Sequence, residues 1–232
     1  MLYAAELPMV APTNAAAVLP AAIDQWASGL ELPADQVYPW IVTREVAAHR
    51  LAATATWLPG LIRNAVLAHS SGVHIDQSKI AEAMQSVDPT NAEAMQELLH
   101  SGVLEPAQSP AQEMALSRLQ TLIALVDGWT DVVCADASPE WVPVAQLDEA
   151  YRRRRATNSP AQQALGALVG LEINPRRVRE AAELWRRITE SHGVAVRDGL
   201  WGHPDLLPGA DDLADPTSFI DAIGAADPGM PE

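Results

Sequence analysis

The sequence predicts a mostly helical fold with a short strand or extended arm at its N-terminus. Ala, Leu, Glu and Arg, which favour helices, are abundant among the 232 residues, and runs of β-branched residues are short. Apolar residues recur at intervals near 3.6, as they do on one face of a helix. The exception is the segment 1–10, where Leu2-Tyr3-Ala4-Ala5 and Met9-Val10 favour extended backbone. Because no repeat or linker divides the chain, a single domain over residues 1–232 is expected.

The helices expected in the first half each begin at a capping residue, an aromatic residue or a proline. They end before glycine or serine. The first is expected over 14–28, capped by Asn14, and the second opens at Pro33. Three more are expected over 57–70, 76–85 and 88–101.

The longest expected helix opens at Ser109-Pro110 and runs to about Asp136. A capping residue followed by proline is typical of a helix start. Its expected apolar stripe is Leu119, Leu122, Ile123, Val126, Trp129 and Val133. Further helices are expected over 142–155 and 160–168, and from Pro175 to His192-Gly193. The Pro-, Gly- and Asp-rich tail, 204–232, is expected to lie on the surface with at most one helical turn within 217–222.

The composition excludes several classes of function. A formal net charge of −15 disfavours a general phosphate-binding surface, and therefore nucleic acid as a partner. The single cysteine, Cys134, excludes an internal disulfide and a cysteine-rich zinc site. No apolar run approaches the roughly 18 residues of a membrane span, and the N-terminus lacks a signal-peptide pattern. A cytoplasmic location with no membrane partner is therefore expected.

The most distinctive segment is Arg44-Glu45-Val46-Ala47-Ala48-His49, within the second expected helix. It is close to His-Glu-x-x-His, in which two imidazoles one helical turn apart bind zinc and the glutamate acts as a base. Arg44 and Ala48 stand in the two histidine positions, Glu45 stands in the glutamate position, and His49 comes one residue late. Glu45 and His49 share a helix face. From the residues alone, a hydrogen bond between them is favoured over a zinc site.

The long helix contains a second candidate, Asp127-Gly128-Trp129-Thr130-Asp131. A glycine inside a helix costs roughly 1 kcal/mol relative to alanine, so Gly128 predicts the close approach of another backbone or a bulky side chain. Asp127 and Asp131 lie one turn apart. They are interpreted either as residues near this crossing, which would need charged partners, or as solvent-facing carboxylates.

The third candidate is the turn Trp201-Gly202-His203-Pro204-Asp205. Proline biases His203 to extended backbone, so a rigid turn would present His203 and Asp205 together. A local turn anchored by Trp201 is favoured over a ligand-binding loop.

Arginines cluster at 152–155 and again over 176–187. They form either a patch for an anion or acidic partner, or solvated faces paired with nearby glutamates. The second interpretation is favoured, with Glu149, Glu180 and Glu183 as the expected partners.

Taken together, these segments resemble a bacterial zincin-like family whose members are labelled hydrolases or zinc-dependent metalloproteases. One branch of the family is named for an association with deazaflavin coenzyme biosynthesis. The resemblance is carried by REVAAHRL from Arg44, LIALVDGWTDVV from Leu122, the stretch 152–185 and the stretch 197–216, in the family's order and spacing. Full-length members have additional sequence before this region, so the chain resembles their C-terminal half.

The resemblance implies which positions would have held zinc. Arg44 and Ala48 match the two histidine ligands, Glu45 matches the general base, and Asp127 matches an acidic third ligand. Arginine stays protonated and alanine has no donor, so neither binds zinc. The expectation is a zincin-like helical domain with a degenerate motif and no cofactor. If a metal does bind, His49, Asp127 and Glu45 would hold it.

We therefore expect Arg44 to occupy the metal's place and to pair with Asp127. The remaining pocket residues are expected to be Ala48, His49, Asp131, His203 and Asp205. A catalytically inactive binding or scaffold protein is favoured over the alternative, an active metal-dependent hydrolase with a rearranged site using Glu45, His49 and Asp127. The expected partners are another protein, the N-terminal half of a longer family member, or a second copy of the chain.

Overall fold

The computed structural model describes residues 2–6, 16–30, 32–71, 109–156 and 174–226. These residues form eight α-helices, joined by turns and by short 3-10 segments. The helices are α1 (Pro20–Leu30), α2 (Ala34–Thr54), α3 (Leu58–Ser71), α4 (Pro110–Ala137), α5 (Val144–Ala156), α6 (Pro175–Gly199), α7 (Ala210–Ala214) and α8 (Thr217–Ala226). The mostly helical class is confirmed. Within the described ranges, no helix is long and apolar enough to cross a membrane.

The N-terminal arm, residues 2–6 and 16–19, is extended except for a 3-10 turn at Ala4–Glu6. Tyr3 forms an isolated antiparallel bridge with Val18, and the Ala4 amide donates to the Ala17 carbonyl over 2.9 Å. This pairing confirms the expected extended arm. It also explains why α1 begins at Pro20 rather than near Asn14, because the residues just before Pro20 are held in extended pairing.

The buried apolar side chains form two clusters. The large cluster lies mainly between α3, α4 and α6, and includes Leu125, Trp129, Trp185 and Trp201. The small cluster joins the N-terminal arm, α1, α2, the end of α4 and α5, and includes Leu2, Tyr3, Trp40 and Tyr151. Helix α4 contributes to both clusters, so it is the central element of the fold.

The start of α4 agrees with the sequence pattern. The Ser109 hydroxyl accepts from the Gln112 amide over 3.3 Å, and the Ser109 amide donates to the Gln112 side chain over 2.7 Å. This reciprocal pair is a capping box, followed by Pro110 at the first helical position. The predicted stripe from Leu119 to Val133 is buried or packed against the large cluster, as expected.

Gly128 lies where α4 crosses α6. A Cβ at this position would lie 2.6 Å from the Ala182 backbone nitrogen and 2.8 Å from the Ala181 Cβ. Real Cβ atoms do not approach backbone this closely, so only glycine allows the two helices to meet. The sequence-based expectation of a close backbone approach at Gly128 is confirmed.

We expect Gly128→Ala to lower the free energy of unfolding by about 1–3 kcal/mol, because the new methyl group must push α6 away. Gly60→Ala in α3 is the matched control, since a Cβ there meets nothing within 4 Å. The control should be neutral or stabilising by up to ~1 kcal/mol through helix propensity. Urea unfolding of both variants measures the difference. Equal stabilities for the two variants would contradict the tight crossing.

Helix α6 breaks at Gly193, where φ is 84° and ψ is 168°. This left-handed φ strains any residue with a Cβ, so the glycine sets the break. The predicted end near His192-Gly193 is thus confirmed as the end of the first helical segment. The chain then continues in a helical conformation to Gly199.

The expectation of at most one helical turn in the tail was wrong. Helix α8 has 10 residues, and α7 precedes it. Leu213 and Ile220 are buried in the large cluster, and the His192 ring contacts the Ile220 carbonyl over 3.1 Å. The physical reason is that Phe219, Ile220 and Ile223 make an apolar helix face among the polar residues. The helices predicted over 76–85, 88–101 and 160–168, and the Asn14 cap, lie outside the described residues.

Candidate functional site

Arg44 lies in the middle of α2 with only 1% of its surface exposed. Its Nη1 atom lies 2.5 Å from Asp131 Oδ1, and its Nε donates to the Tyr3 hydroxyl over 3.3 Å. The guanidinium carbon is 4.9 Å from the Trp40 ring centre and 4.7 Å from the Tyr151 ring centre. The buried cation is therefore satisfied by one carboxylate, one hydroxyl and two aromatic faces.

The prediction that Arg44 pairs with Asp127 was wrong by one helical turn. Asp131 is the partner of Arg44, whereas Asp127 pairs with Arg155 Nη2 at 2.8 Å. The reason is that Arg155, at the end of α5, is the cation that lies against Asp127. A guanidinium lies next to each aspartate, so the expectation that these carboxylates need charged partners is confirmed.

Two residues of α5, Asp148 and the partly exposed Arg152, join Arg44 and Asp131 in a group of charges, which we call the charge cluster: Arg44, Asp131, Asp148 and Arg152. Asp148 Oδ1 lies 3.9 Å from Arg44 Nη1. Arg152 Nη2 lies 3.8 Å from Asp131 Oδ2 and 4.0 Å from Asp148 Oδ2. Asp148 and Arg152 were not among the site residues predicted from the sequence. Their i, i+4 spacing was visible, but it does not reveal which side of α5 faces inward.

The two carboxylates of the charge cluster are unequally compensated. Asp131 has its close contact with Arg44, whereas Asp148 has its nearest cations at 3.9 and 4.0 Å. Burial raises the pKa of Asp148 to about 6, and the negative charge of Asp131 adds to the effect. Burial likewise raises the pKa of the neighbouring Cys134 thiol to about 11, so this cysteine is a neutral core residue and not a nucleophile.

Glu45 is 3% exposed, and both of its carboxylate oxygens accept hydrogen bonds from the N-terminal arm. Oε2 accepts from the Ala5 amide over 2.9 Å, and Oε1 accepts from the Ala17 amide over 2.7 Å. Glu45, the expected general base, therefore holds the two halves of the arm against α2. The expected Glu45–His49 hydrogen bond is not formed, and both Glu45 oxygens instead accept from the arm.

Ala48 and the following His49 make few polar contacts. Ala48 and His49 are half-buried, and His49 makes no hydrogen bond or ion pair within the described part of the chain. Arg44 and Glu45, in contrast, make internal contacts with Asp131 and with the N-terminal arm.

His203 and Asp205 lie on the surface, with side chains 63% and 89% exposed. The His203 Nδ1 atom accepts from the Asp205 amide over 3.2 Å, which closes a short 3-10 turn. Trp201 anchors this turn, because its ring is buried and its carbonyl accepts from Trp57 Nε1 over 3.1 Å. The local-turn interpretation is confirmed, and neither His203 nor Asp205 contacts the charge cluster.

The arginine-rich segments divide between surface and interior. Exposed pairs form between Arg153 and Glu149, Arg176 and Glu180, and Arg186 and Glu183, as expected. Arg152 and Arg155, in contrast, turn toward buried aspartates, and Arg154 Nη1 lies 2.6 Å from Glu6 Oε1 in the N-terminal arm. The run at the end of α5 thus holds this helix against α4 and the arm.

The zinc site implied by the motif does not fit these residues. A protein zinc site needs three ligands with an open position, or four ligands. Within the described ranges, no group of three or more His, Cys, Asp or Glu side chains lies so as to hold a metal ion. Of the candidate ligands, Glu45 is taken by backbone amides and Asp127 by Arg155.

A cleft of 1010 Å³ lies elsewhere, between α3, the first half of α4 and the segment 204–210. Its lining is mostly apolar and includes Leu61, Met114, Leu122 and Leu207, with Arg118 and Asp205 as charged members. Asp205 is the only predicted site residue among the described residues that line it. The cleft is therefore separate from the segment 44–49 and from the charge cluster.

Comparisons with known proteins agree with this fold. The family model described as "Zincin-like metallopeptidase" matches residues 5–220. Among solved structures, the chain is similar to "a putative hydrolase with a novel fold" from Chloroflexus aurantiacus, with a TM-score of 0.63 and 15% sequence identity. The alignment covers 89% of this chain and 58% of that protein, so the chain spans little more than half of its neighbour's length. A search of curated proteins found no match. From the family match over nearly its whole length, the chain belongs to the zincin-like metallopeptidase family.

Proposed function

We propose that this chain is a non-catalytic member of its family that serves as a binding or scaffold domain. The observation that carries the proposal is Glu45, whose two carboxylate oxygens are both engaged by backbone amides of the N-terminal arm. A metallopeptidase glutamate must instead activate a metal-bound water, which requires a free oxygen facing that water.

The neighbouring contacts support the same conclusion. Arg44 is held by Asp131, Tyr3 and two aromatic rings, so a permanent cation occupies this part of α2. A guanidinium neutralises a buried carboxylate without any metal. The site thus has a structural role in joining α2, α4, α5 and the arm.

The binding role is supported by the cleft beside α3. Leu61 and Met114, which line it, are 38% and 63% exposed, and Leu67, on the same helix as Leu61, is 59% exposed. Exposed large apolar residues around a concave surface are typical of a protein-interaction site. We propose another protein as the partner, with self-association as the alternative.

Metal analysis of the purified protein, combined with a peptidase assay in added zinc, tests the lack of catalysis. We expect substoichiometric zinc after dialysis and no hydrolysis of an unfolded protein substrate. The alternative is an active hydrolase using Glu45, His49 and Asp127, as the names of the family and of the structural neighbour suggest. Stoichiometric zinc that is lost in His49→Ala, with hydrolysis that is lost in Glu45→Gln, would establish that alternative.

A further inference from the structure

We propose that the charge cluster is a proton-sensitive latch, in which Asp148 binds a proton on acidification and α5 is then held more firmly against α2 and α4. The cluster consists of two guanidinium groups and two carboxylates from three different helices. It goes beyond the proposed binding role, because it makes the stability of the domain depend on pH.

The geometry makes Asp148 the carboxylate that takes the proton. The Asp148 side chain is 14% exposed, and its nearest cation nitrogens, Arg44 Nη1 and Arg152 Nη2, lie 3.9 and 4.0 Å away. Arg44 instead makes its close contact with Asp131, at 2.5 Å. An ionised carboxylate in this position has lost water without gaining a contact ion pair, which favours its neutral form.

Polar atoms without a well-formed hydrogen bond lie around the same carboxylate. Asp148 Oδ1, Trp40 Nε1 and Arg152 Nε are all buried without a hydrogen bond of normal geometry, although the Trp40 indole lies near enough to Asp148 to favour its ionised form. Buried polar groups are normally paired, so this cluster of exceptions marks a place where the polar contacts are incomplete. These three atoms lie where α5 meets α2.

The described groups that face Asp148 determine its pKa. Helix α2 contributes Arg44 and the Trp40 indole, α4 contributes Asp131 and Cys134, and α5 contributes Arg152. Burial and the charge of Asp131 raise the pKa of Asp148 to about 6, because they outweigh the two arginines and the indole, which favour the ionised form. Cys134, with a pKa raised to about 11, stays neutral throughout the relevant range.

The sign of the effect follows from proton linkage. An unfolded aspartate has the ordinary pKa of 3.8, whereas Asp148 in the folded chain has a pKa of about 6. Between these values the folded state binds more protons than the unfolded state. The stability of the folded state therefore falls as the pH rises through this window. Above a pH of about 6, the stabilisation that comes from the Asp148 proton is lost completely. The shift corresponds to at most a roughly hundredfold change in the folding equilibrium constant.

The test compares urea unfolding of the wild-type protein and Asp148→Asn at intervals from pH 4.5 to 8. Asparagine has the shape of the neutral acid, so this variant is expected to fold. We expect the ratio of variant to wild-type folding constants to rise by about ten- to a hundredfold between the two ends of the range. Contributions that are common to both proteins cancel in this ratio. Glu149→Gln is the matched control, because its 53% exposed carboxylate neighbours Asp148 on the same helix, and its ratio should not depend on pH.

Two further measurements decide the proposal. The side-chain carboxyl resonance of Asp148 should titrate near pH 6 in carbon-13 NMR, and the amides of α5 should exchange with solvent faster at pH 7.5 than at pH 5.5, after correction for intrinsic rates. In Asp148→Asn, the corrected exchange of α5 should be the same at both pH values. A pH-independent ratio of folding constants, or an Asp148 resonance that titrates near pH 4, would overturn the proposal.

Discussion

Arg44→Met is expected to lower the free energy of unfolding by about 3–5 kcal/mol, the largest effect of any single substitution considered for this chain. Methionine keeps most of the side-chain volume but removes the positive charge. Asp131, with a side chain only 10% exposed, then loses its contact ion pair in a nearly dry environment. The stacking of the cation on Trp40 and Tyr151 is lost as well. Urea unfolding followed by tryptophan fluorescence measures the loss.

Arg153→Met is the matched control, because Arg153 lies on the surface of α5 with a 77% exposed side chain paired to Glu149. Its effect should stay within about 0.5 kcal/mol. The double variant Arg44→Met with Asp131→Asn should recover part of the lost stability, since it leaves no unpaired charge at Asp131. If the double variant is no more stable than Arg44→Met alone, the ion pair with Asp131 is not what makes Arg44 necessary.

Glu45→Gln is expected to lower the free energy of unfolding by about 1–3 kcal/mol. Glutamine has one acceptor oxygen, so it can serve the Ala5 amide or the Ala17 amide but not both. The loss should be concentrated in the N-terminal arm. Hydrogen exchange should therefore show faster exchange of the Ala5 and Ala17 amides, together with Leu19, whose amide donates to the Leu2 carbonyl in the same pairing.

Glu190→Gln, at an exposed position of α6, is the control for removing a glutamate charge and should change little. The outcome also separates the two roles of Glu45. A structural acceptor loses stability when it becomes glutamine, whereas a catalytic base loses activity with the fold intact. Unchanged exchange of the arm in Glu45→Gln would contradict the structural role.

Local chemistry made much of this fold predictable. The start of α4 followed from Ser109-Pro110, the start of α2 from Pro33, and the break in α6 from Gly193. At each of these positions the residue's own side chain, or the lack of one, determines which backbone conformations are possible, with little help from distant contacts. Gly128 belongs to the same class, because a missing side chain inside a helix predicts a close neighbour without identifying it.

The predictions that failed depended on distant partners. The helical content of the tail was underestimated because α8 is stabilised by packing on α6. The Pro, Gly and Asp content of the tail does not reveal this packing. The start of α1 was misplaced because the residues before Pro20 pair with the chain's first residues.

The sequence by itself determined that α2 carries an arginine and a glutamate at adjacent positions, Arg44 and Glu45. Only the tertiary structure decided what these two residues do. Arg44 pairs with Asp131 across 87 positions of the chain, and Glu45 accepts from amides 28 and 40 positions away. The physical reason is that a buried charge must find its partner in space, and the direction in which α4, α5 and the arm approach α2 is set by packing of the whole domain.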